Sequence, residues 1–512
     1  MICATLSDTA QEFAAILKRL SGRFAFILET ERWLIAVVDR IRSVPLIWTL
    51  DDFGNVIVAQ TADGLREVSA LDGQTVNAGQ ALAVAMSGYT IGEDTLVSGV
   101  KALSAGQYLA VPIKGGAPYQ DYYRRYAPWA ETLSDWSKSR DALRDLTLDI
   151  LRDLVVASKG RPIAIPLSAG FDSRLIASGL KHLGHDDVLC FSYGLAGNRE
   201  ATAAREIAEV LGYRWTFFEY TNALARAWST ESDYDAFRRY SDSLTGIHFA
   251  QDFPAIRGLR DIGYLPRDTV IVNGQAGDFI SGNHIPAILA DPHQIGAASA
   301  IWPLLAKHYA LWRSLITDAN REAITTLINA EMSAIAGDAI TTGAAGSLFE
   351  AYEFVNRQTK YVVNGQRCYE ALGFDWSLPL WDDRYIDFWE CRPLKQKAGQ
   401  GLYRDMLRRA DWGGVWDRIP INELIVRPIW IRPLRLACKA FHLPFGGPAW
   451  HRFEKRYFNY FMSTLCTYGP AGWMRVASDR RGPKSGVSLI TEDYLRNLGV
   501  QFGDAVHLER ST

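Results

Sequence analysis

The pattern of hydrophobic and polar positions divides the chain into two parts. Residues 23–60 contain short apolar runs separated by turns, RFAFILE, WLIAVVD, PLIWTL and VIVAQ, and DDFGN has the composition of a hairpin turn. A second β-rich piece follows at GVKALSAGQYLAVPI. These runs predict a β-rich front domain over residues 1–130. The glycine-rich segment 115–118 and the polar segment 129–140 predict its boundary.

After residue 160 strand-like segments alternate with helical ones. PIAIPL precedes the helix pattern DSRLIASGLKHLG, and VLCFSYG precedes EATAAREIAEVLG; both helix patterns end at a glycine, and TVIVNG predicts a further strand. Strands that alternate with helices predict a parallel α/β sheet. From about residue 300 the pattern is mostly helical. We therefore expect a second domain over residues 131–512, with an α/β part followed by a helical extension.

The turn in PLSAGFDSRLIASGL is the first candidate site. In an open α/β sheet, ligands bind beyond the carboxyl ends of the strands. Ser168, Ala169 and Gly170 fall at such an end, just before a helix whose free N–H groups and dipole favour an anion. The hydroxyls of Ser168 and Ser173 add donors, so the turn predicts a pyrophosphate site. The alternative is an ordinary strand-to-helix turn in which Asp172 and Ser173 cap the helix.

Two carboxylates predict a metal ion at this site. A carboxylate beside a phosphate is repulsive unless a cation lies between them, so Asp172 suggests a bridging Mg²⁺. Asp278 follows the strand TVIVNG in a second glycine-containing loop. Because both loops follow parallel strands, the two aspartates could converge on one ion.

Composition narrows the class of protein. The chain has 512 residues, 48% of them hydrophobic and 22% charged, and a net charge of −2, which favours neither nucleic acid nor an anionic membrane as the main partner. No apolar run approaches the roughly 20 residues of a membrane span, and no signal peptide pattern opens the chain. The six cysteines show no CxxC spacing. We expect a cytoplasmic protein.

The two loops resemble those of the asparagine synthetase superfamily. SAGFDS resembles its pyrophosphate loop Ser-Gly-Gly-x-Asp-Ser, with Ala169 as the departure. GQAGD resembles Gly-Glu-Gly-Ala-Asp-Glu, where Asp278 matches and Phe279 replaces the last Glu. The resemblance implies an adenine nucleotide alpha-hydrolase-like (PP-loop) fold that binds ATP, with Asp172 and Asp278 on Mg²⁺. The implied pyrophosphate contacts are Ser168, Ala169, Gly170, Phe171, Asp172, Ser173, Gly274, Gln275 and Gly277.

Further segments extend the resemblance to about residues 15–410. Phe191 to Gly194 resembles the strand end that holds adenine, which implies contacts from Ser192, Tyr193 and Gly194, and Glu200 falls where the family has a Glu opening its next helix. The stretch QRCYEALGFDWSLPLWD aligns with Asp-Arg-x-x-Met…Glu-x-Arg-x-Pro-Phe-Leu-Asp. The matching residues are Arg367, Pro379 and Asp382, whereas Gln366, Asp375 and Ser377 depart. This stretch resembles homologues found with surface polysaccharide genes.

The family usually begins with a glutaminase domain whose nucleophile is a cysteine at position 2. This chain has Ile2, with Cys3 one place later, and its resemblance to that domain begins only at residues 22–50. We expect a shortened Ntn-hydrolase-like domain without glutaminase activity, in which Cys3 is not a nucleophile. Nitrogen would then come from free ammonia, a separate glutaminase or a substrate amine. The shortened domain also offers a surface for such a partner or for a homodimer.

The resemblance implies an ATP-dependent amidoligase. A carboxylate, from aspartate or a uronic acid-like group, would be converted to an acyl-adenylate with release of pyrophosphate, and ammonia would then displace AMP. One alternative is an intramolecular amide-forming synthetase like the β-lactam synthetases and macrolactam-forming peptide cyclases. The other is a degenerate nucleotide-binding protein without turnover.

Several residues are candidates for the remaining roles. A cation should steady the phosphates, and the candidates are Lys360, Arg367 and Lys484; the stretch IPINELIVRP, where the family often has a lysine, contains none. Tyr352 and Asp375 could deprotonate an amine, as a Tyr–Glu pair does in β-lactam synthetases. His284 could contact substrate. For each cation and for His284, a surface role is the alternative.

Overall fold

The computed structural model describes residues 10–129, 135–291, 293–416, 426, 428–463, 465–468 and 470–508. Its strands are β1 Ala25–Glu29, β2 Trp33–Val38, β3 Ile47–Leu50, β4 Val56–Ala59, β5 Lys101–Ala102, β6 Gln107–Pro112, β7 Tyr119–Tyr122, β8 Ile163–Pro166, β9 Val188–Gly194, β10 Arg214–Glu219, β11 Val270–Val272, β12 Asp375–Ser377, β13 Val500–Phe502 and β14 Val506–Leu508.

The first helices are α1 Ala10–Leu17, α2 Ala62–Arg66, α3 Ala78–Ser87, α4 Trp136–Ser158, α5 Phe171–His182, α6 Arg199–Leu211, α7 Asn222–Trp228, α8 Ser232–Ser241, α9 Phe253–Asp261 and α10 Gly277–Ile280. The later ones are α11 Ala297–His308, α12 Asp318–Ala336, α13 Ala339–Thr342, α14 Ala345–Glu353, α15 Arg367–Ala371, α16 Asp383–Glu390, α17 Leu394–Lys397, α18 Gly401–Ala410, α19 Ile431–His442, α20 Gly447–Tyr457, α21 Trp473–Ser478 and α22 Gly486–Arg496. A π-helical segment, Phe354–Val362, continues α14.

The front region is built from two antiparallel sheets packed face to face. Their strand orders are β1-β2-β6-β7 and β4-β3-β5. Alternate residues of β2 point to opposite faces, so Ile35 and Val37 pack towards α1 whereas Ala36 and Val38 pack between the sheets with Trp48. Helix α2 covers the outer face of the second sheet. The predicted β-rich character is confirmed.

The predicted boundary at residues 115–118 is wrong. This glycine-rich segment is the turn between β6 and β7, which pair in antiparallel register with Ala110 opposite Tyr119. Moreover, α3 of the front region lies in the same apolar core as the parallel sheet. The division at residue 130 therefore stays a prediction, and the core continues across it.

The second region contains the predicted parallel sheet. Its strand order is β10-β9-β8-β11-β12, and all neighbouring strands pair in parallel. The chain adds β9 and β10 on one side of β8 and then returns to add β11 on the other. The carboxyl ends of β8 and β11 therefore form a topological switch point, where ligands bind in open α/β sheets.

The helices around the sheet follow from the sequence pattern. Helices α5 and α6 end where Gly184 and Gly212 adopt φ of +75° and +70°, a conformation that glycine tolerates. The chain beyond residue 300 is mostly helical, as predicted. No helix in the described ranges has both the length and the apolar character needed to span a bilayer.

Candidate functional site

The two predicted loops meet at the switch point of the sheet. Residues 167–170 connect β8 to α5, and residues 273–276 connect β11 to α10. A cavity of about 590 Å³ lies between them. It is lined by both loops, by the end of β9 and by helix α18, and its lining residues include Ser168, Gly170, Asp172, Tyr193, Asp252, Asn273, Gln275, Asp278, Asn283, Gln400 and Arg404.

The first turn of α5 has no side-chain cap. Its N-cap residue is Gly170, which has no side chain that could accept from the N–H groups of that turn. The carboxylate of Asp172 instead accepts hydrogen bonds from the Asp278 N–H at 2.8 Å and the Tyr403 hydroxyl at 3.0 Å. The alternative in which Asp172 and Ser173 cap the helix is therefore wrong. An uncapped helix N-terminus that opens on a cavity is suited to an anion.

The two serines of the first loop hydrogen-bond within it. The Ser173 hydroxyl accepts from the Ser168 N–H at 3.0 Å, and the Ser168 hydroxyl accepts from the Gly170 N–H at 3.1 Å. Ala169 is buried, and its carbonyl accepts from Arg174. These bonds hold the loop in shape, whereas direct phosphate contacts from the serines stay a prediction.

Two glycines let the loops approach each other. A Cβ on Gly277 would lie 2.6 Å from Asp172 Oδ1, and one on Gly274 would lie 2.7 Å from the Ser173 nitrogen. Both distances are shorter than a Cβ contact can be without a shift of the neighbour. The second loop needs glycine at these positions because of space, since neither residue has a positive φ.

The pKa values of the two aspartates are shifted in opposite directions. Burial, and then the negative charge of Asp278, raise the pKa of Asp172 to about 8. Burial alone would raise the pKa of Asp278 as well, but the hydrogen bond and positive charge of His284 outweigh burial and lower it. Asp172 is therefore the more readily protonated member of the pair. A bound cation would favour release of its proton.

The donor set at the pair fits Mg²⁺. This ion takes oxygen ligands, and in nucleotide sites it uses one or two carboxylates together with phosphate oxygens and water. In the described part of the chain, no group of three or more His, Cys, Asp or Glu side chains is arranged to hold a metal ion. The aspartate pair would thus supply the protein ligands, and a phosphate would complete the coordination.

A buried network, not predicted from the sequence, supports Asp278. His284 Nε2 lies 3.1 Å from Asp278 Oδ2, and His284 Nδ1 hydrogen-bonds to the buried carboxylate of Glu353. Burial alone would lower the pKa of His284, but the bonds with Asp278 and Glu353 outweigh it and raise the pKa. His284 is therefore a bridge between two carboxylates rather than a surface residue.

The Glu353 carboxylate also accepts hydrogen bonds from four residues besides His284. Lys307, His308, Arg357 and Gln358 each donate to its carboxylate at 3.1–3.3 Å. Burial alone would raise the pKa of Glu353, yet His308 and His284 outweigh burial and lower it well below its usual value. Burial lowers the pKa of His308 itself to about 4, so at neutral pH we assign the opposing positive charge to His284, Lys307 and Arg357.

Asp252 organises the other side of the cavity. The hydroxyls of Tyr193 and Tyr369 both donate to its buried carboxylate. The Tyr193 ring stacks on Tyr220 with 5.1 Å between ring centroids. Tyr193 therefore lines the cavity in a fixed orientation. The adjacent Ser192 hydroxyl donates to the Leu167 carbonyl at 2.7 Å, and neither it nor Gly194 is among the lining residues.

Arg404 supplies a cation at the cavity that sequence reasoning missed. It is exposed on α18, and its guanidinium lies 5.7 Å from the centroid of the Phe171 ring. Among the described residues it has no ion pair. The helical period of GLYRDMLRR predicts a helix, but only the fold brings this helix beside α5.

The three predicted cations lie elsewhere. Lys360 is buried, and its ammonium donates to the carbonyls of Thr90 at 3.0 Å and Gly92 at 2.5 Å. Arg367 is buried and ion-paired with Glu370 at 2.6 Å. Lys484 lies in a loop, and its own backbone N–H donates to the Leu311 carbonyl. None of the three lines the cavity, whereas Arg404 does.

The proposed Tyr352–Asp375 pair does not form. The Tyr352 hydroxyl is buried in the core and hydrogen-bonds to Tyr309 at 2.5 Å. Asp375 is the first residue of β12, at the end of the strands opposite the two loops. Its carboxylate forms an ion pair with Arg161 at 2.5 Å. A joint role as a base is therefore ruled out by their positions.

The remaining predicted positions have structural partners or lie outside the described residues. Asp382 caps α16, and Glu200 is exposed in the first turn of α6. Gln366 donates to the Gln275 side chain at 2.7 Å, which joins two of the positions that depart from the family pattern. Cys3 and most of IPINELIVRP lie outside the described residues.

Comparison with known proteins supports the assignment of the first loop. The family model of asparagine synthase matches residues 142–245, about a fifth of the chain. This segment contains α5, α6 and strands β8 to β10, with the loop of residues 167–170. The match confirms the resemblance to the asparagine synthetase family over this segment and indicates an ATP-dependent ligase. No curated protein matches the chain.

Proposed function

We propose that this chain, an asparagine synthase family member by its matched domain, is an AMP-forming amidoligase that uses Mg·ATP and ammonia. The observation that carries the proposal is the meeting of two strand-end loops, each with an aspartate, at the uncapped N-terminus of α5. Pyrophosphate is an anion of suitable size for that N-terminus, and a magnesium ion bridges such an anion to carboxylates.

The reaction would proceed in two balanced steps. A carboxylate oxygen attacks the α-phosphorus of ATP, the bond from that phosphorus to the bridging oxygen breaks, and pyrophosphate leaves. The nitrogen of ammonia then attacks the acyl carbon, the bond to AMP breaks, and the nitrogen loses a proton. Mg²⁺, when bound, would offset the negative charge on the departing pyrophosphate.

Different parts of the cavity would bind different parts of Mg·ATP. Asp172 and Asp278 would hold the metal, and the first turn of α5 would hold the pyrophosphate. Arg404, exposed at the same opening, would steady the phosphates. Tyr193, fixed by Asp252, would border the adenine near the end of β9. His284 and Glu353 would keep the Asp278 carboxylate oriented and ionised.

The acceptor carboxylate is proposed as aspartate or a uronic acid-like group. Gln275 lines the cavity and is hydrogen-bonded to Gln366, so two neutral amides stand where the family pattern has a Glu and an Asp. The loss of two carboxylates beside the cavity makes it more favourable for an anionic substrate.

Two alternatives differ in the second step or lack the reaction. An intramolecular synthetase would release pyrophosphate and AMP without added ammonia. A degenerate nucleotide-binding protein would bind Mg·ATP without release. The presence of both aspartates at the cavity argues against the latter, because a site without turnover has no need of a metal pair.

The test is release of pyrophosphate and AMP from Mg·ATP, with and without ammonium, across a panel of carboxylates including aspartate and free and nucleotide-linked uronic acids. Asp172→Asn and Asp278→Asn should abolish carboxylate-dependent release. Asp375→Asn is the matched control, since it changes an exposed aspartate at the opposite edge of the same sheet. Release that survives both loop substitutions would contradict the proposal.

A further inference from the structure

Helices α19 and α20 and the turn between them, residues 428–457, form a hairpin with an unusual surface; we call it the C-terminal hairpin. Its residues Ile431 and Trp450, with the adjacent Phe458, belong to a small apolar core distinct from the main core. Between residues 429 and 445, seven large apolar residues are 54–71% exposed: Ile429, Trp430, Leu434, Leu436, Phe441, Leu443 and Phe445. Soluble monomers rarely expose so many apolar side chains together.

The inward face of α19 accounts for its packing. Arg435 forms an ion pair with Glu454 of α20, and the His442 ring lies 4.3 Å from that of Phe453, between centroids. With Ile431, these residues follow helical spacing and face α20.

The outward face has the same spacing but no partner within the described molecule. Trp430, Leu434, Ala437 and Phe441 follow one another at intervals of four, three and four residues, so they form a continuous stripe beside the inward face. This stripe is therefore an apolar surface that no described residue covers.

The charge of the hairpin indicates what covers it. Residues 428–457 contain six cations, Arg432, Arg435, Lys439, Arg452, Lys455 and Arg456, and one carboxylate, Glu454, already paired with Arg435. The whole chain has a net charge of −2. The hairpin therefore has five more positive than negative charges, which is complementary to an anionic surface.

We infer that the C-terminal hairpin docks this protein on an anionic membrane surface. Helix α19 would lie in the interface plane, with Trp430, Leu434 and Phe441 at the headgroup boundary. Arg432 and Lys439 lie on the opposite, polar side of the helix, from which their long side chains reach headgroup phosphates. Amphipathic helices with Trp, Phe and Leu on one face and Lys and Arg on the polar face bind bilayers in this way. The net charge of the whole chain, −2, predicts no membrane partner. That sum conceals the strongly basic hairpin, because the rest of the chain offsets its positive charge.

The test is flotation of the full chain with vesicles of phosphatidylcholine, with and without phosphatidylglycerol. Binding should require phosphatidylglycerol and fall as salt increases. The double variant Leu434→Ser/Phe441→Ser should bind at least about tenfold more weakly. Phe53→Ser/Ile262→Ser, which replaces exposed apolar residues elsewhere, is the matched control and should bind like the wild type. Circular dichroism establishes that both variants are folded.

Three outcomes would overturn the inference. The first is no binding of the wild type to either vesicle, and the second is equal binding by wild type and the Leu434/Phe441 variant. The third is a dimer in sedimentation equilibrium that this variant converts to a monomer, which would assign the surface to a second copy. None of these results depends on the nucleotide cavity, so the inference and the proposed function fail separately.

Discussion

The nucleotide cavity and the C-terminal hairpin both depart from the usual arrangement of apolar residues inside and polar residues outside. The cavity region buries the carboxylates of Asp252 and Glu353, whereas the hairpin exposes Trp430 and Phe441. Burial of a charge and exposure of a large apolar side chain are both unfavourable. Each region therefore points to a ligand of opposite character: a small, charged one for the cavity and an extended, partly apolar one for the hairpin.

The two regions also differ in how far the protein itself compensates. In the cavity, hydrogen bonds from Tyr403, His284 and the Asp278 N–H already satisfy most of the buried oxygens. On the hairpin, nothing in the described residues covers the outward stripe of α19. Substitutions in the cavity should therefore affect both activity and stability, whereas substitutions on the hairpin should affect docking alone.

The largest effect is expected for Asp278→Asn. The amide cannot supply the charge that a metal ion and its phosphate require, so carboxylate-dependent pyrophosphate release should fall at least about 100-fold. The measurement is steady-state release with the most active carboxylate of the panel. Asp375→Asn should remain within about twofold of the wild type, and a similar loss in that control would remove the link to the cavity.

Glu353→Gln should cause the largest loss of stability, about 3 kcal/mol at neutral pH, because it leaves the partly buried cations His284, Lys307 and Arg357 without their carboxylate. The pKa of Glu353 lies below its unfolded value of about 4.3. Its contribution is therefore complete above that value and is lost as pH falls through the lower, folded pKa. Urea unfolding from pH 7 to pH 3 should show the difference between wild type and variant narrowing in acid. A constant difference would contradict the assignment.

Gly277→Ala should lower both activity and stability. The added methyl group would lie 2.6 Å from Asp172 Oδ1, so the carboxylate must move, at a cost of about 1–3 kcal/mol for overpacking. Thermal unfolding and pyrophosphate release report the two effects. Gly472→Ala is the control, because a Cβ there meets nothing within 4 Å. An active, stable Gly277→Ala variant would show that the close approach of the loops is not required.

Arg404→Gln should weaken Mg·ATP binding by about tenfold through loss of one charge-assisted contact to phosphate. Isothermal titration with a non-hydrolysable analogue measures this. Arg408→Gln changes an exposed arginine on the same helix that lies outside the cavity lining, and it should bind like the wild type. If both substitutions weaken binding equally, Arg404 acts only through long-range electrostatic attraction and does not contact phosphate.

The smallest effect is expected from Leu434→Ser/Phe441→Ser on stability in solution. Both side chains are mostly exposed, so the free energy of unfolding should change by less than about 0.5 kcal/mol per substitution. A loss of several kcal/mol would mean that the stripe is packed within the protein and would remove the contrast with the cavity.

The parts of the fold that depend on local pattern could be predicted from the sequence. The order strand, loop and helix around Asp172 and around Asp278 follows from apolar runs and glycines, and the shared sheet edge follows from parallel pairing. The prediction of a domain boundary at residues 115–118 is wrong, because glycine and proline occur in turns inside a hairpin as well as between domains.

Residues brought in from distant segments could not be predicted. Arg404, Asp252 and Glu353 reach the cavity region only through the packing of helices after β10, and a single sequence shows no sign of it. Lys360 and Arg367 were candidates as cations, but the sequence does not show that they are buried and already bonded to neighbours.

The most direct test of the central claim is a crystal structure with Mg²⁺ and α,β-methylene ATP. We predict the β- and γ-phosphates at the first turn of α5, the ion between them and the carboxylates of Asp172 and Asp278, and the adenine near Tyr193. A nucleotide bound elsewhere, or a metal that contacts neither aspartate, would contradict the account.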